Sequence, residues 1–185
     1  MAGFGSSRAI ASPARPVDNT PPSYDMKAQA LQDLQGLHKQ FAELAGAIPA
    51  DKFTWRPSPG VRSIAEVYLH VAGTNLNFAT DIGTMPAPPP IAKGYEQSTT
   101  DKDKIIEQLN QSFDYAQAAI EKMSNADFAK PIKKYGPDAS LGDVVYLIVT
   151  HTHEHLGQSI AYARVNGVVP PWTAAMQAKQ KKTQD

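Results

Sequence analysis

Residues 140–165 read SLGDVVYLIVTHTHEHLGQSIAYARV, and this stretch decides the fold. One set of residues in this stretch recurs every three or four positions, which predicts one long helix with a single buried face. That face carries Val144, Ile148, His151, His155, Gln158 and Tyr162. Ser140 and Asp143 favour a helix start, and Asn166-Gly167 predicts the C-terminal stop.

Three of the chain's five histidines lie at positions 151, 153 and 155 of this helix. His151 and His155 are four residues apart, so they project from the same face, about 5–6 Å apart at Cβ. His153 lies about 200° from His151 around the axis, and we expect it to point elsewhere. Imidazoles that converge on a bundle helix suggest a transition-metal site. The alternative is a hydrogen-bonded or partly exposed histidine pair without a metal.

Three further segments show the same spacing upstream. Helices are predicted over about residues 24–47, from a Ser63–Glu66 capping box to about residue 82, and from a cap at Thr100 or Asp101 onward. Their predicted inward stripes are Leu31, Leu34, Phe41, Leu44 and Ile48; Ile64, Val67, Tyr68, Val71, Phe78 and Ile82; and Ile106, Leu109, Phe113, Ala116, Ile120 and Met123. Four amphipathic helices without convincing strands predict an all-α four-helix bundle.

The segments between and beyond the helices are polar or rich in proline. Residues 53–60 contain two prolines and a glycine, and residues 85–98 form a Pro-rich connection. Residues 127–135 are expected to form a short strand or turn, and residues 168–172 extended chain. We expect a flexible tail over residues 1–22, the bundle over 23–173, and a C-terminal tail over 174–185 with a frayed helix.

Composition excludes several classes of protein. The 185 residues are 42% hydrophobic and 19% charged, which suits one globular domain with a sizeable core. Lys+Arg and Asp+Glu both total 18, so no basic stripe favours nucleic acid. No apolar run approaches the roughly 18–20 residues of a membrane span, and the first 22 residues lack an apolar signal core. We therefore expect no membrane partner and a cytoplasmic location, with a secreted parent form as the alternative. Cysteine is absent, which excludes thiolate ligands.

A third metal ligand must come from another element, and His70 in the second helix is the best candidate. Thr74 and Asn77 share its face, so polar groups stand ready to support a ligand there. His70 by itself would indicate packing or surface, as we expect for His38. Three neutral imidazoles suit a divalent Zn, Ni, Fe or Mn ion and leave coordination positions open for water or substrate.

Three passages carry a resemblance to a known family. They are FTWRPSPGVRSI at residues 53–64, YLHVA at 68–72, and HTHEHLGQ at 151–158 with YARVNGVVPP at 162–171. In this order, over about residues 24–172, the chain resembles the DinB-like (DinB/YfiT) superfamily of metal-dependent enzymes. The resemblance implies an up-down-down-up four-helix bundle, a metal held by His70, His151 and His155, and often a homodimer. One departure is Leu156, where many members have arginine.

Family members of known activity include transferases and isomerases that use low-molecular-weight thiols. The resemblance therefore implies a divalent-metal-dependent enzyme, a thiol transferase or a hydrolase, that activates a small thiol or water to act on a small molecule. Gln158, Asn77 and Tyr162 are the predicted contacts to the ligands or to the substrate. The alternative is a non-catalytic, metal-stabilised or ligand-binding helical bundle.

The sequence argues against two kinds of chemistry. The metalloprotease motif H-E-x-x-H is absent, because Glu154 comes directly before His155 instead of after the first histidine. No obvious general base is present either, since Glu66 belongs to the capping box and Glu154 is expected to face away. This favours thiolate chemistry over hydrolysis, because a metal alone can ionise a thiol.

Overall fold

A computed structural model of the protein describes residues 24–183. Its helices are α1 (Met26–Ala47), α2 (Ile64–Ile82), α3 (Lys102–Glu121), α4 (Leu141–Val165) and α5 (Pro171–Lys182). Short 3₁₀ turns occupy Ala50–Lys52, Tyr95–Gln97, Asn125–Ala129 and Lys133–Tyr135. No strand occurs in this range, which confirms the all-α prediction. The predicted tail over residues 1–22 lies outside the described residues.

Local capping explains where the helices begin. The Ser63–Glu66 capping box at the start of α2 is confirmed, with Glu66 accepting from the Ser63 backbone at 2.7 Å. Ser140 and Asp143 form a second box at the start of α4. Of the two predicted caps of α3, the structure uses Asp101, whose carboxylate accepts from two backbone amides.

The bundle has an up-down-down-up topology. Both α1 and α2 pack against α3 and α4. Lys27 at the start of α1 donates to the carbonyl of Glu121 at the end of α3, so those helices are antiparallel. Asn75 and Ser112 meet at 3.4 Å and Thr84 reaches Ala119, so α2 and α3 run parallel.

The remaining two pairs complete this arrangement. The ring of His70, early in α2, meets that of His155, late in α4, edge to face, while Phe78, late in α2, meets His151, so α2 and α4 are antiparallel. Ala30 and Val145, near the starts of α1 and α4, line one groove, as expected for parallel helices. Since α2 and α3 are parallel, the chain between them must run back along the length of the bundle. The Pro-rich connection does this, and it passes alongside α2.

The core fills the space between the four long helices. The predicted stripes are buried for the most part, and Phe41 and Tyr68 meet edge to face at its centre, with ring centroids 5.6 Å apart. The predicted stripe of α3 omits Ile105, which is fully buried, whereas the predicted Ile106 is only partly buried and packs against the core. Two adjacent isoleucines differ by about 100° around the axis, and packing against α1 and α2 selects between them.

One connecting segment forms a turn, as one of its two predicted alternatives, and another differs in part from its prediction. Residues 127–135, expected as a strand or turn, form 3₁₀ turns, and an isolated bridge joins Pro131 to Ser140. The extended segment predicted over residues 168–172 ends at Pro170, because α5 begins at Pro171, a residue suited to the first helical position. None of the α5 residues is buried. Among the described helices, none has the length and hydropathy to cross a bilayer.

Candidate metal centre

Two antiparallel helices bring three histidines to one point. His70 lies on α2, and His151 and His155 lie one turn apart on α4. Their ring centroids are 4.5–5.0 Å apart, and one nitrogen from each ring lies within 4.8 Å of the other two. His155 is buried and the other two are half-buried. Among the described residues this is the group of histidine and acidic side chains with the spacing to hold a metal ion.

Each imidazole has its Nδ1 atom engaged by a neighbouring oxygen. Nδ1 of His70 lies 2.7 Å from Glu96 Oε1, and Nδ1 of His155 lies 2.8 Å from Gln158 Oε1. Nδ1 of His151 lies 3.3 Å from the Thr74 hydroxyl, which donates its own hydrogen to the His70 carbonyl. With all three oxygens as acceptors, each ring carries its proton on Nδ1 and keeps a lone pair on Nε2.

The free Nε2 atoms of His70 and His151 face each other at 3.0 Å. Two nitrogen lone pairs at this distance repel one another unless a proton or a cation lies between them. Neutral imidazoles that converge in this way are typical ligands of zinc and related ions, which bind histidine nitrogen at about 2.0–2.1 Å. The donor set therefore fits a divalent transition metal.

Burial favours the neutral form that metals bind at two of the rings, His70 and His151. The pKa of His151 is lowered to about 4, first by the loss of water contact and then by the nearby His155 and His70. Burial also lowers the pKa of His70, although the hydrogen bond to Glu96 opposes this effect. Protons therefore compete weakly with a metal at these two rings near neutral pH.

The surroundings of the histidines include aromatic walls and a cleft. The Phe78 ring meets His151 edge-on, with centroids 5.7 Å apart, and Trp55 meets Tyr162 at 5.3 Å. A cleft of about 400 Å³ runs along α2 beside His70, and Asn77 lines it. Its opposite wall is the connection around residues 91–97. A small molecule in this cleft would lie beside one of the three histidines.

Comparison with known proteins identifies the family. A model of the DinB superfamily matches residues 13–159, which include all three histidines. The chain belongs to the DinB superfamily. A DinB-like protein of known crystal structure, from Bacillus cereus ATCC 10987, has a similar fold, with a TM-score of 0.64 and 13% sequence identity. The match covers 78% of this chain and 95% of that one. No curated protein sequence matches.

Membership of the DinB superfamily confirms the resemblance. The structure also shows where the other side chains named in the sequence analysis lie. Gln158 contacts His155 and also donates to the Tyr162 hydroxyl at 3.0 Å, so both residues stand behind one imidazole. Asn77 is exposed in the cleft wall. Glu154 is exposed, as expected, and Glu66 is engaged in its capping box.

The two histidines that are not predicted as metal ligands, His153 and His38, lie elsewhere in this DinB-superfamily chain. His153 is exposed on the outer face of α4. His38 stacks on Phe113 with ring centroids 4.7 Å apart, and its Nε2 lies 3.0 Å from the Asn110 side-chain oxygen. Packing and hydrogen bonding account for His38 without a metal.

Sequence reasoning missed two residues of the site, Glu96 and Arg62. Arg62 donates to both carboxylate oxygens of Glu96, at 2.7 and 3.1 Å. Burial would raise the pKa of Glu96, but the hydrogen bonds from Arg62 and His70 outweigh it and hold this pKa below its usual value. Glu96 lies in a Pro-rich connection without helical periodicity, so no pattern in the sequence linked it to a histidine 26 residues earlier.

Proposed function

We propose that the protein is a divalent-metal-dependent enzyme in which His70, His151 and His155 hold the ion. It activates a small thiol, or water, for transfer to or hydrolysis of a small molecule. The single observation that carries this proposal is the convergence of three imidazoles whose Nδ1 atoms are all engaged by oxygen acceptors. An ordinary packed histidine uses whichever nitrogen meets a partner, whereas here the same nitrogen of each ring, Nδ1, is engaged by an oxygen.

Three protein ligands leave coordination positions available, and the cleft beside His70 offers a route to them. A divalent ion bound there would lower the pKa of a small thiol or water, so that the nucleophile forms near neutral pH. The chain's own part is to hold the three rings in one tautomer and to exclude water with Phe78 on one side. Both tasks follow from contacts already described.

A thiol is favoured over water as the nucleophile. Hydrolysis benefits from a general base, and the acidic groups nearest the site in the described chain are already engaged or turned away. Glu96 is held by Arg62 and His70, Glu66 by its capping box, and Glu154 is exposed. A thiol needs only ionisation, after which its sulfur attacks the electrophilic carbon of the second substrate and the leaving group departs.

Metal content tests the proposal directly. Protein purified without chelators is expected to hold about one divalent ion per chain, measured by elemental analysis after dialysis. His151→Ala/His155→Ala should release it, whereas His153→Ala on the same helix should keep it. Circular dichroism of each variant checks that the bundle is intact. Full metal retention in the folded double variant would contradict the proposal.

A screen for thiol transfer then separates enzyme from non-catalytic bundle. The metal-loaded protein is mixed with a low-molecular-weight thiol and a small carbon electrophile, and thioether formation is measured. Loss of the reaction in the double variant supports the enzyme, whereas a metal-loaded protein that neither binds nor ionises any thiol supports the metal-stabilised bundle. A cytoplasmic location and assembly as a homodimer are further parts of this proposal, and nucleic acid and membranes are not proposed as partners.

A further inference from the structure

The connection between α2 and α3 touches the metal centre at one residue, Glu96. This residue lies in the Tyr95–Gln97 turn, which rests against α2 at three successive positions. The Tyr95 ring covers Gly73, Glu96 contacts His70, and Gln97 donates to Glu66 at 3.3 Å. The Tyr95–Gln97 turn is therefore docked along about two turns of α2, with the Glu96 carboxylate at the centre.

The Glu96 carboxylate is held in one orientation. Its Oε1 accepts from His70 Nδ1 at 2.7 Å, and both of its oxygens accept from the Arg62 guanidinium. Arg62 comes directly before Ser63, the N-cap of α2, so its backbone is fixed by the capping box. A bidentate pair of this kind restricts rotation of the carboxylate, which a single hydrogen bond to a ring would leave free.

A carboxylate in this position has two effects on an imidazole. It accepts the Nδ1 proton and so holds the other nitrogen, Nε2, in its lone-pair form. Its negative charge also makes the ring a better electron donor toward a cation, as in the carboxylate–histidine pairs common behind metal ligands. The other two rings have neutral partners, the Thr74 hydroxyl and the Gln158 amide. His70 alone has a charged one.

We propose that Glu96 is a positioning residue of the metal centre, which fixes the Nδ1–H tautomer of His70 and strengthens its bond to the ion. Arg62 supports this role by orienting the carboxylate. The inference rests on the proposed function, because it assumes that His70 binds the metal. It extends the site from two helices to the connection that forms the wall of the cleft.

The test compares Glu96→Ala and Glu96→Gln with the wild-type protein. Glu154→Gln is the matched control, because Glu154 is exposed on α4 and turned away from the histidines. Zinc affinity is measured by competition with a chromophoric chelator. The tautomer of His70 is measured on the metal-free protein by ¹⁵N NMR of labelled histidine, a readout that does not depend on metal binding or on activity.

Glu96→Ala is expected to weaken zinc binding by about 10–100-fold, and Glu96→Gln by less, because an amide oxygen still accepts from Nδ1. In wild-type protein His70 should appear as the Nδ1–H tautomer, and in Glu96→Ala as a mixture. Glu154→Gln should match the wild type in both measurements. If Glu96→Ala fails to fold, as judged by circular dichroism, Glu96→Gln carries the comparison.

Two results would overturn the inference, and they differ. If wild-type protein binds zinc and both Glu96 variants bind it equally tightly, with an unchanged His70 tautomer, Glu96 has no positioning role while the proposed function stands. If wild-type protein binds no zinc, the proposed function fails, and the role of Glu96 at a metal fails with it.

Discussion

The three imidazoles of the centre differ in the group behind each ring: a carboxylate for His70, a hydroxyl for His151 and an amide for His155. Because His155 is only 7% exposed, water cannot easily replace a lost partner at its Nδ1. The contact from Gln158 is therefore needed to keep this ring in the metal-binding tautomer. Partners on exposed rings are more easily replaced.

Gln158→Leu should therefore weaken zinc binding by about tenfold, since it leaves the buried His155 Nδ1–H without an acceptor. Gln158→Glu keeps an acceptor oxygen at the same place and should bind zinc at least as tightly as the wild type. Chelator competition at neutral pH measures both affinities. Equal affinity in the leucine and wild-type proteins would show that the hydrogen bond is irrelevant to the site.

The half-buried His151 also makes the metal-free protein sensitive to acid. The pKa of His151 is about 4 in the folded protein, below the usual histidine value of about 6.5 that we assume for the unfolded chain. Between these values the unfolded chain binds a proton that the folded protein does not. The stability contributed by the neutral ring is complete above about pH 6.5 and is lost as the pH falls toward 4.

Urea unfolding of the metal-free protein tests this. Between pH 7 and pH 4.5, the free energy of unfolding should fall by about 1–2 kcal/mol more in the wild type than in His151→Gln. This is less than the full pKa shift of His151 would give, because the ring is partly exposed. Titrating groups that do not contact His151 affect both proteins alike. The same loss in both proteins would contradict the predicted protonation.

The residues of the site were predictable to different degrees. His151 and His155 followed from helical spacing, because both lie on one helix with a clear inward face. His70 needed a tertiary assumption, that α2 packs beside α4, and the family resemblance supplied it. Glu96 was not predictable, because it reaches the site through a connection whose path depends on the parallel arrangement of α2 and α3.

At the scale of single elements, two helical glycines have contrasting surroundings. A Cβ added at Gly73 in α2 would lie 3.2 Å from the Tyr95 ring, so that the turn carrying Glu96 would have to shift by a few tenths of an ångström. A Cβ added at Gly157 in α4 meets nothing within 4 Å. The absence of a side chain at Gly73 thus allows the Tyr95–Gln97 turn to dock closely, whereas no neighbouring group requires a glycine at position 157.

Gly157→Ala should stabilise the protein by about 0.5–1 kcal/mol, because alanine loses less backbone entropy than glycine in a helix. Gly73→Ala should stabilise the protein less than Gly157→Ala, or destabilise it, because the contact with Tyr95 offsets the gain in helix stability. Chemical denaturation at one pH measures both. A gain at Gly73 as large as at Gly157 would mean that the turn is loosely docked.

Helix boundaries were predicted well because their signals are local. The Ser63–Glu66 box and the stop at Asn166-Gly167 each involve a few neighbouring residues, and the structure places the ends there. The inward face of α3 was less certain, since Ile105 and Ile106 satisfy nearly the same spacing. The start of α5 at Pro171 was missed, because proline is compatible both with extended chain and with a first helical turn.

At the scale of the whole molecule, the up-down-down-up order places two pairs of parallel helices in contact. A short loop cannot join parallel neighbours, so α2 and α3 need the long connection over residues 83–101. The same connection provides one wall of the cleft and the carboxylate behind His70. Topology and site are therefore linked: the segment that the topology requires is also the one that completes the site.

Assembly is the prediction that belongs to this scale. Several large apolar side chains are exposed on the described chain, namely Tyr24, Met26, Tyr146, Val165, Val169 and Met176. The proposed homodimer would cover part of this surface. Light scattering coupled to gel filtration should give twice the 20.0 kDa mass of one chain at micromolar concentration. A single-chain mass across the accessible concentration range would rule out the dimer.

His70 and His151 are 81 residues apart in the chain, yet their Nε2 atoms nearly touch. An ion shared by these rings closes a long loop, as a cross-link does, but one that a chelator can remove. The proposed ion would bind the native chain far better than the unfolded one, and it would have to be released before α2 and α4 could separate. The lifetime of the folded chain would then depend on metal supply, and scarcity would shorten it and expose the polypeptide to proteolysis.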